Sequence, residues 1–383
     1  VQESPDMKSS VNAPICHSVL AIMLSFSLLL LSACSEKPDL KIGFLGGISG
    51  RVADLGIGCR NGAMLALEIR NANGGINGQT LTLLSEDDQQ DASQAKIAFG
   101  RLIGQKVEAV IGPMTSSMAV VVTPLANKAE MLLMSPTATT TSLAGKDDYF
   151  MRVISPTTKY AQKSADYHYR IKRLRRTAVV HDLRNRAYTE SWLNDYRQAF
   201  ESAGGKIEMA LGFESNNEIQ FSDMVKQVLS NAADSVLILA NSVDTALIVQ
   251  QIRQQNEMIH ISTSEWAATE RLLELGGRAV EGIVAAQFLD RENNDPGYLN
   301  FRKAYLKRFG SEPGFAGLTG FDAANVLLDA LENRQSGQSL KQSILQQQTF
   351  TGAQSTLVFD DSGDADRATF MTTIKDGSFQ RLR

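Results

Sequence analysis

The stretch that decides the fold runs from Val110 to Thr139 and reads VIGPMTSSMAVVVTPLANKAEMLLMSPTAT. Two short aliphatic runs, 107–111 and 131–134, predict buried parallel strands, and the apolar spacing of 118–130 predicts a helix between them. A loop of small and hydroxyl residues follows each predicted strand. Ligands of parallel sheets bind beyond the carboxyl ends of the strands, where helix N-termini present free N–H groups. The stretch therefore predicts a binding site for a small, anionic group.

The rest of the chain alternates between predicted strands and helices. A first series starts with a strand at 40–45, a helix at 61–70 and a strand at 81–85, and a second series starts after Ser155. A mature chain of about 350 residues is too long for one ordinary core. The sequence therefore predicts an α/β protein with two doubly wound lobes, each built on a parallel sheet.

The N-terminal segment has the layout of a lipoprotein signal peptide. Lys8 precedes an apolar core, 19–31, that is too short to span a membrane, and Leu31-Ser32-Ala33-Cys34 resembles a bacterial lipobox. Cleavage before Cys34 would leave this cysteine to carry lipid. Residues 1–33, which include six residues upstream of Met7, are therefore assigned to the signal and excluded from the predicted fold.

Composition excludes several classes of function. The formal net charge is −4, so there is no overall basic field for nucleic acid. The chain has four histidines and no GxxxxGK[ST], HxxxH or GxSxG pattern, which argues against nucleotide binding, a metal site and an enzyme. One basic cluster, 170–176, fits either a solvated helix end or a docking patch for a membrane partner.

Cysteine usage agrees with a fold held by its apolar core. The three cysteines are Cys16 in the signal, Cys34 at the lipobox and Cys59. Cys59 has no partner with which to form a disulfide in the predicted mature chain. Its neighbour Arg60 would favour a reactive thiolate, but its apolar surroundings favour a small packed side chain, which is the interpretation we prefer.

An ordered set of motifs resembles one family across the whole chain after Cys34. GAMLALEIRNANGGINGQ (62–79), VEAVIGPMTSS (107–117), MLLMSPTAT (131–139), FMRVIS (150–155) and LVFDDSGD (357–364) are similar to the leucine/isoleucine/valine-binding protein family, the type I periplasmic solute-binding proteins of ABC transporters. The resemblance implies three strands that cross between the lobes, here near Arg152, Ala285 and Leu357. The implied lobes are 34–154 with 287–356, and 155–286 with 357–383.

The resemblance also implies which residues bind a ligand. Ser116 and Thr139 match positions that contact the α-carboxylate and α-amine, and Thr137 matches a main-chain contact. Glu265, at the end of a predicted strand, matches the acidic residue that receives the ammonium group. Tyr188 corresponds to a tyrosine that closes over the ligand, although a core position in its own helix is an equal alternative.

Four positions bear on the side chain of the ligand. The branched-chain binders of this family carry aromatic residues near Leu55 and near Asn241, where this sequence has none, while Trp266 adjoins Glu265. Arg51 lies in the first glycine-rich loop. If Arg51 reaches the cleft, the ligand carries a second polar or anionic group; if it extends to solvent, the pocket needs no such partner.

The resulting hypothesis is a receptor for a small zwitterion, expected to be an amino acid or close analogue, that delivers it to an ABC permease. It is expected to be extracytoplasmic or periplasmic, anchored to a membrane through Cys34, monomeric and without cofactor or metal. The alternative keeps the fold but replaces transport by regulation through a protein partner. An enzyme is the least favoured class.

Overall fold

The computed structural model describes residues 1–5, 38–216 and 218–382. The predicted signal segment after residue 5 and the lipobox cysteine Cys34 lie outside them. Contacts divide the chain into Val1–Asp39 and Leu40–Arg383, and every element named below belongs to the second unit. Within the described residues, no helix combines the length and the apolar character needed to cross a membrane.

Strands and helices alternate along most of the chain. The strands are β1 Leu40–Gly46, β2 Leu81–Asp87, β3 Val110–Ile111, β4 Leu133–Ser135, β5 Phe150–Arg152, β6 Arg176–Asp182, β7 Lys206–Phe213, β8 Ser235–Leu239, β9 His260–Thr263, β10 Val284–Gln287, β11 Thr349–Thr351, β12 Thr356–Phe359, β13 Ala365–Asp366, β14 Phe370–Lys375 and β15 Ser378–Arg381. The helices are α1 Ala53–Ala72, α2 Ala92–Gly104, α3 Ser116–Ala129, α4 Thr157–Asp166, α5 Arg186–Ser202, α6 Ser222–Leu229, α7 Ser242–Gln255, α8 Glu270–Gly276, α9 Pro296–Phe309, α10 Gly314–Asn333 and α11 Leu340–Gln347.

The first sheet has five parallel strands in the order β2-β1-β3-β4-β5. Successive residues of a strand point to opposite faces. Phe44 and Ile111 belong to the core formed with α1 and α10, whereas Leu45 and Val110 belong to the core formed with α2 and α3. Because both faces are covered, the strands are nearly continuous aliphatic runs, as predicted.

Helix α1 begins at Ala53 rather than at the predicted residue 61, so two glycines expected in a loop lie inside it. A Cβ on Gly56 would lie 2.1 Å from the backbone oxygen of Gly47, and a Cβ on Gly58 would lie 2.8 Å from the Cβ of Ala316 in α10. Gly62, which lies inside the predicted helix, is equally close to α10, because its Cβ would lie 2.1 Å from the backbone oxygen of Gly317. The missing side chains allow α1 to approach the loop after β1 and helix α10 closely. Apolar spacing carries no sign of such contacts, which explains the error in the predicted start.

The second sheet has seven strands in the order β15-β14-β10-β9-β8-β6-β7. The five strands from β10 to β7 are parallel, and β14 and β15 add an antiparallel hairpin at one edge. Val179 and Leu237 pack in one core, and their neighbours Ala178 and Val236 pack in another. The predicted fold class, two doubly wound α/β lobes, is confirmed.

The chain passes three times between the two lobes, since α10, which follows β10, packs against α1 of the first lobe. The first crossing follows Arg152 and the second follows β10, near the predicted positions. The third lies between β13 and β14. Leu357, predicted as the third crossing, lies instead in a separate three-stranded antiparallel sheet, β11-β12-β13. The boundary that the family resemblance implied at residue 357 therefore moves to between Asp366 and Phe370, because Val358 and Phe359 still pair with Asp366 and Ala365 in the small sheet.

Candidate ligand-binding site between the lobes

The carboxyl ends of β3 and β4 bring two hydroxyl-bearing loops together. Ile111 pairs with Met134, so the segments that follow these residues lie side by side. Ser116 is the first residue of α3, and its hydroxyl accepts hydrogen bonds from the backbone N–H groups of Thr139 and Thr140, both at 3.2 Å. The Ser116 side chain thus connects the two loops.

Two threonine hydroxyls near this connection are buried without a hydrogen-bond partner in the described part of the chain. They are Thr115 Oγ1 and Thr139 Oγ1. The Thr137 hydroxyl, in contrast, donates to the Met114 carbonyl at 2.7 Å. Because buried polar atoms in native proteins nearly always have partners, each unsatisfied hydroxyl is a candidate ligand contact.

The second lobe contributes a buried carboxylate. Glu265 begins a short 3-10 helix that follows β9, and its side chain is 4% exposed. The Tyr188 hydroxyl donates to one carboxylate oxygen at 2.9 Å, and the Trp192 indole N–H donates to the other at 3.1 Å. Tyr188 also packs edge-on against Trp266, with ring centroids 5.4 Å apart. The alternatives for Tyr188 are therefore compatible, since it is a core residue of α5 and also lines the site.

Burial dominates the electrostatics of Glu265. It raises the pKa of this carboxyl to about 7, and hydrogen bonds from its surroundings, including Trp192 and Tyr188, offset only part of that rise. No cationic side chain among the described residues forms a salt bridge with it. A buried carboxylate without a counter-charge is unfavourable, so a cationic group at this point would stabilise the ionised form.

Between the lobes lies a small cavity of about 20 Å³. Its polar lining consists of Thr115, Ser116, Thr137, Asn185, Tyr188 and Glu265, and its apolar lining consists of Leu55, Met114, Ile154, Trp266 and Phe315. The cavity thus combines hydroxyl groups and a carboxylate with an apolar wall. Thr139 does not line it but lies directly behind Ser116 through the hydrogen bond described above.

Arg51 and Asn241 lie outside this lining. Arg51 forms a salt bridge with Asp244 at 2.5 Å, in which the Asp244 side chain is 0% exposed and that of Arg51 14%. The Asn241 amide donates to the same Asp244 carboxylate at 2.6 Å. Neither predicted alternative for Arg51 is correct, because this side chain reaches neither the cavity nor open solvent. The Arg51 guanidinium pairs with Asp244 of the second lobe, and no cationic side chain of the described residues lines the cavity.

The lobes are closed over the cavity and joined by direct hydrogen bonds. Asp54 in the first turn of α1 accepts from Ser242 at 2.7 Å and from Thr269 at 2.8 Å, both in the second lobe. On the α3 side, the backbone N–H of Ser117 donates to Asn185 at 3.1 Å. The closed arrangement therefore brings the N-terminal ends of helices from both lobes into contact.

Several lining residues were not predicted. Thr115 belongs to the quoted hydroxyl loop, and Asn185 follows strand β6, so the strand-end rule could have selected both. Phe315, from the start of α10, provides an aromatic wall that the sequence lacks at Leu55. Trp192 binds Glu265 from within α5. Neither of these last two residues has a local sequence signal, because each reaches the site from a segment distant in sequence.

The side chains of Cys59 and His168 pack inside the fold and do not line the cavity. Burial raises the pKa of the Cys59 thiol to about 12, which agrees with a packed, unreactive side chain. The His168 ring bonds to the Tyr196 hydroxyl at 2.9 Å inside the second lobe. Across the described residues, no group of three or more His, Cys, Asp or Glu side chains could hold a metal.

The basic cluster at 170–176 is largely occupied by intramolecular contacts. Arg170 pairs with Asp166 at 2.7 Å, and Arg176 pairs with Glu208 at 2.6 Å. The Arg175 guanidinium lies over the Tyr169 ring, 4.0 Å from its centroid. These contacts favour the solvated helix end over the docking patch.

Two lobes that close on a cavity lined by hydroxyls and one buried carboxylate define a class of protein, the two-lobed solute receptor. The periplasmic binding protein family model matches residues 39–378, and the chain belongs to this family. Within it, the chain is similar to the leucine/isoleucine/valine-binding proteins, as its motifs indicated. The relatives are solute-binding proteins rather than enzymes, and membership of the family implies an extracytoplasmic location.

Individual relatives are similar at low identity over most of their length. A leucine-, isoleucine-, valine-, threonine- and alanine-binding protein of Pseudomonas aeruginosa is 23% identical over 330 residues, which span 85% of this chain and 87% of that protein. A Leu/Ile/Val-binding protein homologue of Brucella melitensis is 24% identical over 68% of this chain and 71% of that protein. The crystal structure of a leucine-binding protein from Thermotoga maritima has a TM-score of 0.83 and 25% identity, covering 90% of this chain and 98% of that one.

Proposed function

We propose that this chain is a lipid-anchored extracytoplasmic receptor that closes around a small zwitterion, an amino acid or close analogue with an apolar side chain, for import through an ABC permease. The observation that carries the proposal is the Glu265 carboxylate, which is buried in a closed cavity with no counter-charge among the described residues. The ammonium group of an amino acid would supply this charge.

Each part of such a ligand has a chemically matched surface. The hydroxyls of Thr115 and Ser116, together with the N-terminus of α3, suit the α-carboxylate, because helix N-termini favour anions, and Thr139 lies directly behind Ser116. Glu265 suits the ammonium group. Leu55 and Phe315 suit an aliphatic or aromatic side chain, since no charged side chain other than Glu265 lines the cavity. The binding of leucine by the relatives named above supports the same class of ligand.

Calorimetry of the mature domain with a panel of L-amino acids tests the proposal. We expect binding by one or more members with apolar side chains and no binding by lysine or glutamate, whose second charge would be buried unpaired. A ligand at a hundredfold excess over its Kd should stabilise the protein by about 2.7 kcal/mol in a thermal-shift measurement. Absence of binding to the whole panel, combined with mass spectrometry that finds no co-purified small molecule, would exclude the proposed function.

The lipid anchor and the transport partner are separate parts of the proposal. Cys34 completes the lipobox pattern, and cleavage before it would place lipid only a few residues before β1. Metabolic labelling with a radioactive fatty acid should mark the wild-type protein and not Cys34→Ala, and the variant should leave the membrane fraction. The receptor is expected to be a monomer that delivers its ligand to the permease and needs no cofactor.

The regulatory alternative requires no ligand between the lobes. A protein that acted only through its outer surface would gain nothing from a buried carboxylate without a counter-charge, and such a group would destabilise its closed form. No observation in the described structure favours this alternative over solute binding.

A further inference from the structure

Arg152 is fully buried at the end of β5, immediately before the first crossing between the lobes. One guanidinium nitrogen, Nη1, donates to the carbonyl oxygen of Thr140 at 2.9 Å and to that of Ala138 at 3.3 Å. These two carbonyls flank Thr139. The guanidinium therefore holds the loop 138–140 from its carbonyl side, at the two residues that enclose a predicted ligand contact.

The same loop is held at two further points. The Ser116 hydroxyl accepts from the N–H groups of Thr139 and Thr140, and the Thr139 carbonyl accepts from the Thr157 N–H at 2.8 Å. Thr157 is the first residue of α4, just after the crossing. The backbone of the loop is thus fixed from both sides of the first crossing, while the Thr139 hydroxyl is left without a partner in the described part of the chain.

Arg152 also contacts the third crossing. Its Nε donates to Asp364 at 2.7 Å, and its backbone N–H donates to the Gly363 carbonyl at 3.0 Å. The second carboxylate oxygen of Asp364 accepts from the Gly145 N–H at 3.0 Å. Asp364 precedes β13, after which the chain enters the second lobe. A single side chain therefore connects the ligand loop to two of the three segments that must bend when the lobes open.

We infer that Arg152 is a positioning residue, which holds the loop 138–140 in its ligand-binding geometry and couples that geometry to the hinge through Asp364. The inference rests on the proposed function, because it assigns the loop to the ligand site. Arg152 does not line the cavity, so it acts on a ligand through the loop and not by direct contact. Asp364 neutralises the charge of Arg152. Arg152 therefore contributes to binding by holding the loop 138–140 in place and not by attracting the ligand.

The chemistry of arginine explains why lysine should not replace it. The planar guanidinium directs Nε towards Asp364 and Nη1 towards the two carbonyls at the same time. A lysine ammonium is a single point of charge on a flexible stem and cannot occupy both places. Arg152→Lys would therefore keep the buried positive charge but release either the loop or the third crossing.

The test compares Arg152→Lys with Arg175→Lys. Arg175 is a matched control because its guanidinium also donates to two backbone carbonyls, those of Tyr169 and Leu174, both at 2.9 Å. It precedes β6, at the opposite end of that strand from the cleft. With L-leucine as the calorimetric probe, we expect Arg152→Lys to weaken binding about tenfold and Arg175→Lys to leave it within about twofold, because a ligand contact depends on the groups that orient it.

Amide hydrogen exchange without ligand provides a readout that a general loss of stability would not reproduce. In Arg152→Lys, the amides of Thr139 and Thr140 should exchange about tenfold faster, while those of β3 stay unchanged, because only the loop is released. Equal acceleration across the first lobe, or leucine binding like that of the wild type, would overturn the inference. If Arg152→Lys does not fold, Asp364→Asn provides the second variant, with a smaller effect in the same direction.

The outcome separates the inference from the proposed function. If wild-type protein binds no member of the amino-acid panel, the proposed function fails, while exchange at Thr139 and Thr140 still decides whether Arg152 holds the loop. If wild-type protein binds leucine and both lysine variants bind it equally well, the function stands and the role of Arg152 is refuted.

Discussion

Replacement of Glu265 by glutamine should weaken amino-acid binding and, in the same molecule, ease closure of the ligand-free lobes. The substitution keeps the size and shape of the side chain. A glutamine oxygen can still accept from the Trp192 indole, and its NH₂ group can donate to the Tyr188 hydroxyl, which can act as donor or acceptor. The change therefore removes the negative charge with little other disturbance.

The loss of affinity follows from the burial of the charge. A ligand ammonium group in the closed cavity would face a neutral amide, and truncating one partner of a buried charge pair typically costs about 2 to 5 kcal/mol. We therefore expect a Kd at least about thirtyfold higher for the variant at pH 8. Glu274→Gln is the control, since Glu274 is an exposed residue of α8 whose ion pair with Arg271 lies on the surface and should contribute little.

Although Glu265→Gln should weaken ligand binding, it should favour closure of the ligand-free lobes. Burial raises the pKa of Glu265 from its ordinary 4.5 to about 7 in the closed form, whereas water would restore the ordinary value when the lobes open. The closed form therefore binds the extra proton between these two pH values, and closure without ligand becomes less favourable as pH rises through this window. Above pH 7 the difference of about 2.5 pKa units disfavours closure by up to about 3.4 kcal/mol, at about 1.4 kcal/mol per unit, or up to roughly three-hundredfold in the closed-to-open ratio.

This balance makes closure depend on the ligand. A ligand ammonium group stabilises the ionised carboxylate, so binding to the closed ligand-free form at pH 6 must displace a proton from Glu265, and the affinity for that form should be about tenfold lower at pH 6 than at pH 8. Glu265→Gln should show no such dependence. Small-angle X-ray scattering should find the ligand-free variant more closed than the wild type at pH 8. Unchanged affinity together with an unchanged pH profile would refute the assignment of Glu265.

Four further predictions follow from the contacts. Arg51→Met leaves Asp244 buried without its counter-charge in the closed form, so scattering should show a more open ligand-free protein and calorimetry about tenfold weaker binding. Thr139→Val removes a hydroxyl that has no partner in the described chain, so it should leave thermal stability unchanged but cost about 1.5 to 3 kcal/mol of affinity if that hydroxyl meets a carboxylate. Native Cys59 should resist iodoacetamide at pH 8, as mass spectrometry can check, and Cys59→Ser should bind ligand normally. Gly62→Ala should destabilise the fold by about 1 to 3 kcal/mol in urea, because the new methyl meets the Gly317 carbonyl; an unchanged midpoint would contradict the close packing of α1 on α10.

Local patterns were sufficient for the parts of the fold that depend on near neighbours in sequence. The aliphatic runs before Gly112 and Ser135 form strands that are buried on both faces of the sheet. Burial on both faces requires aliphatic residues at successive positions, so the composition of these runs predicts the strands. The start of α1 was predicted too late, because Gly56 and Gly58 make close contacts that no periodicity reveals. The third crossing was misplaced because the family resemblance located it only by a motif, whereas strand pairing holds Leu357 opposite Phe350 in the small sheet.

By itself, the sequence determined the first half of the candidate site, together with the two doubly wound lobes. Carboxyl ends of adjacent parallel strands meet at one edge of a sheet, so Ser116, Thr137 and Thr139 had to lie near one another. Tertiary structure alone decided the rest. Arg51 meets Asp244 only when the lobes close, and Glu265 meets Trp192 only when the second lobe has folded, because partners so distant in sequence are chosen by packing and charge and leave no local signal.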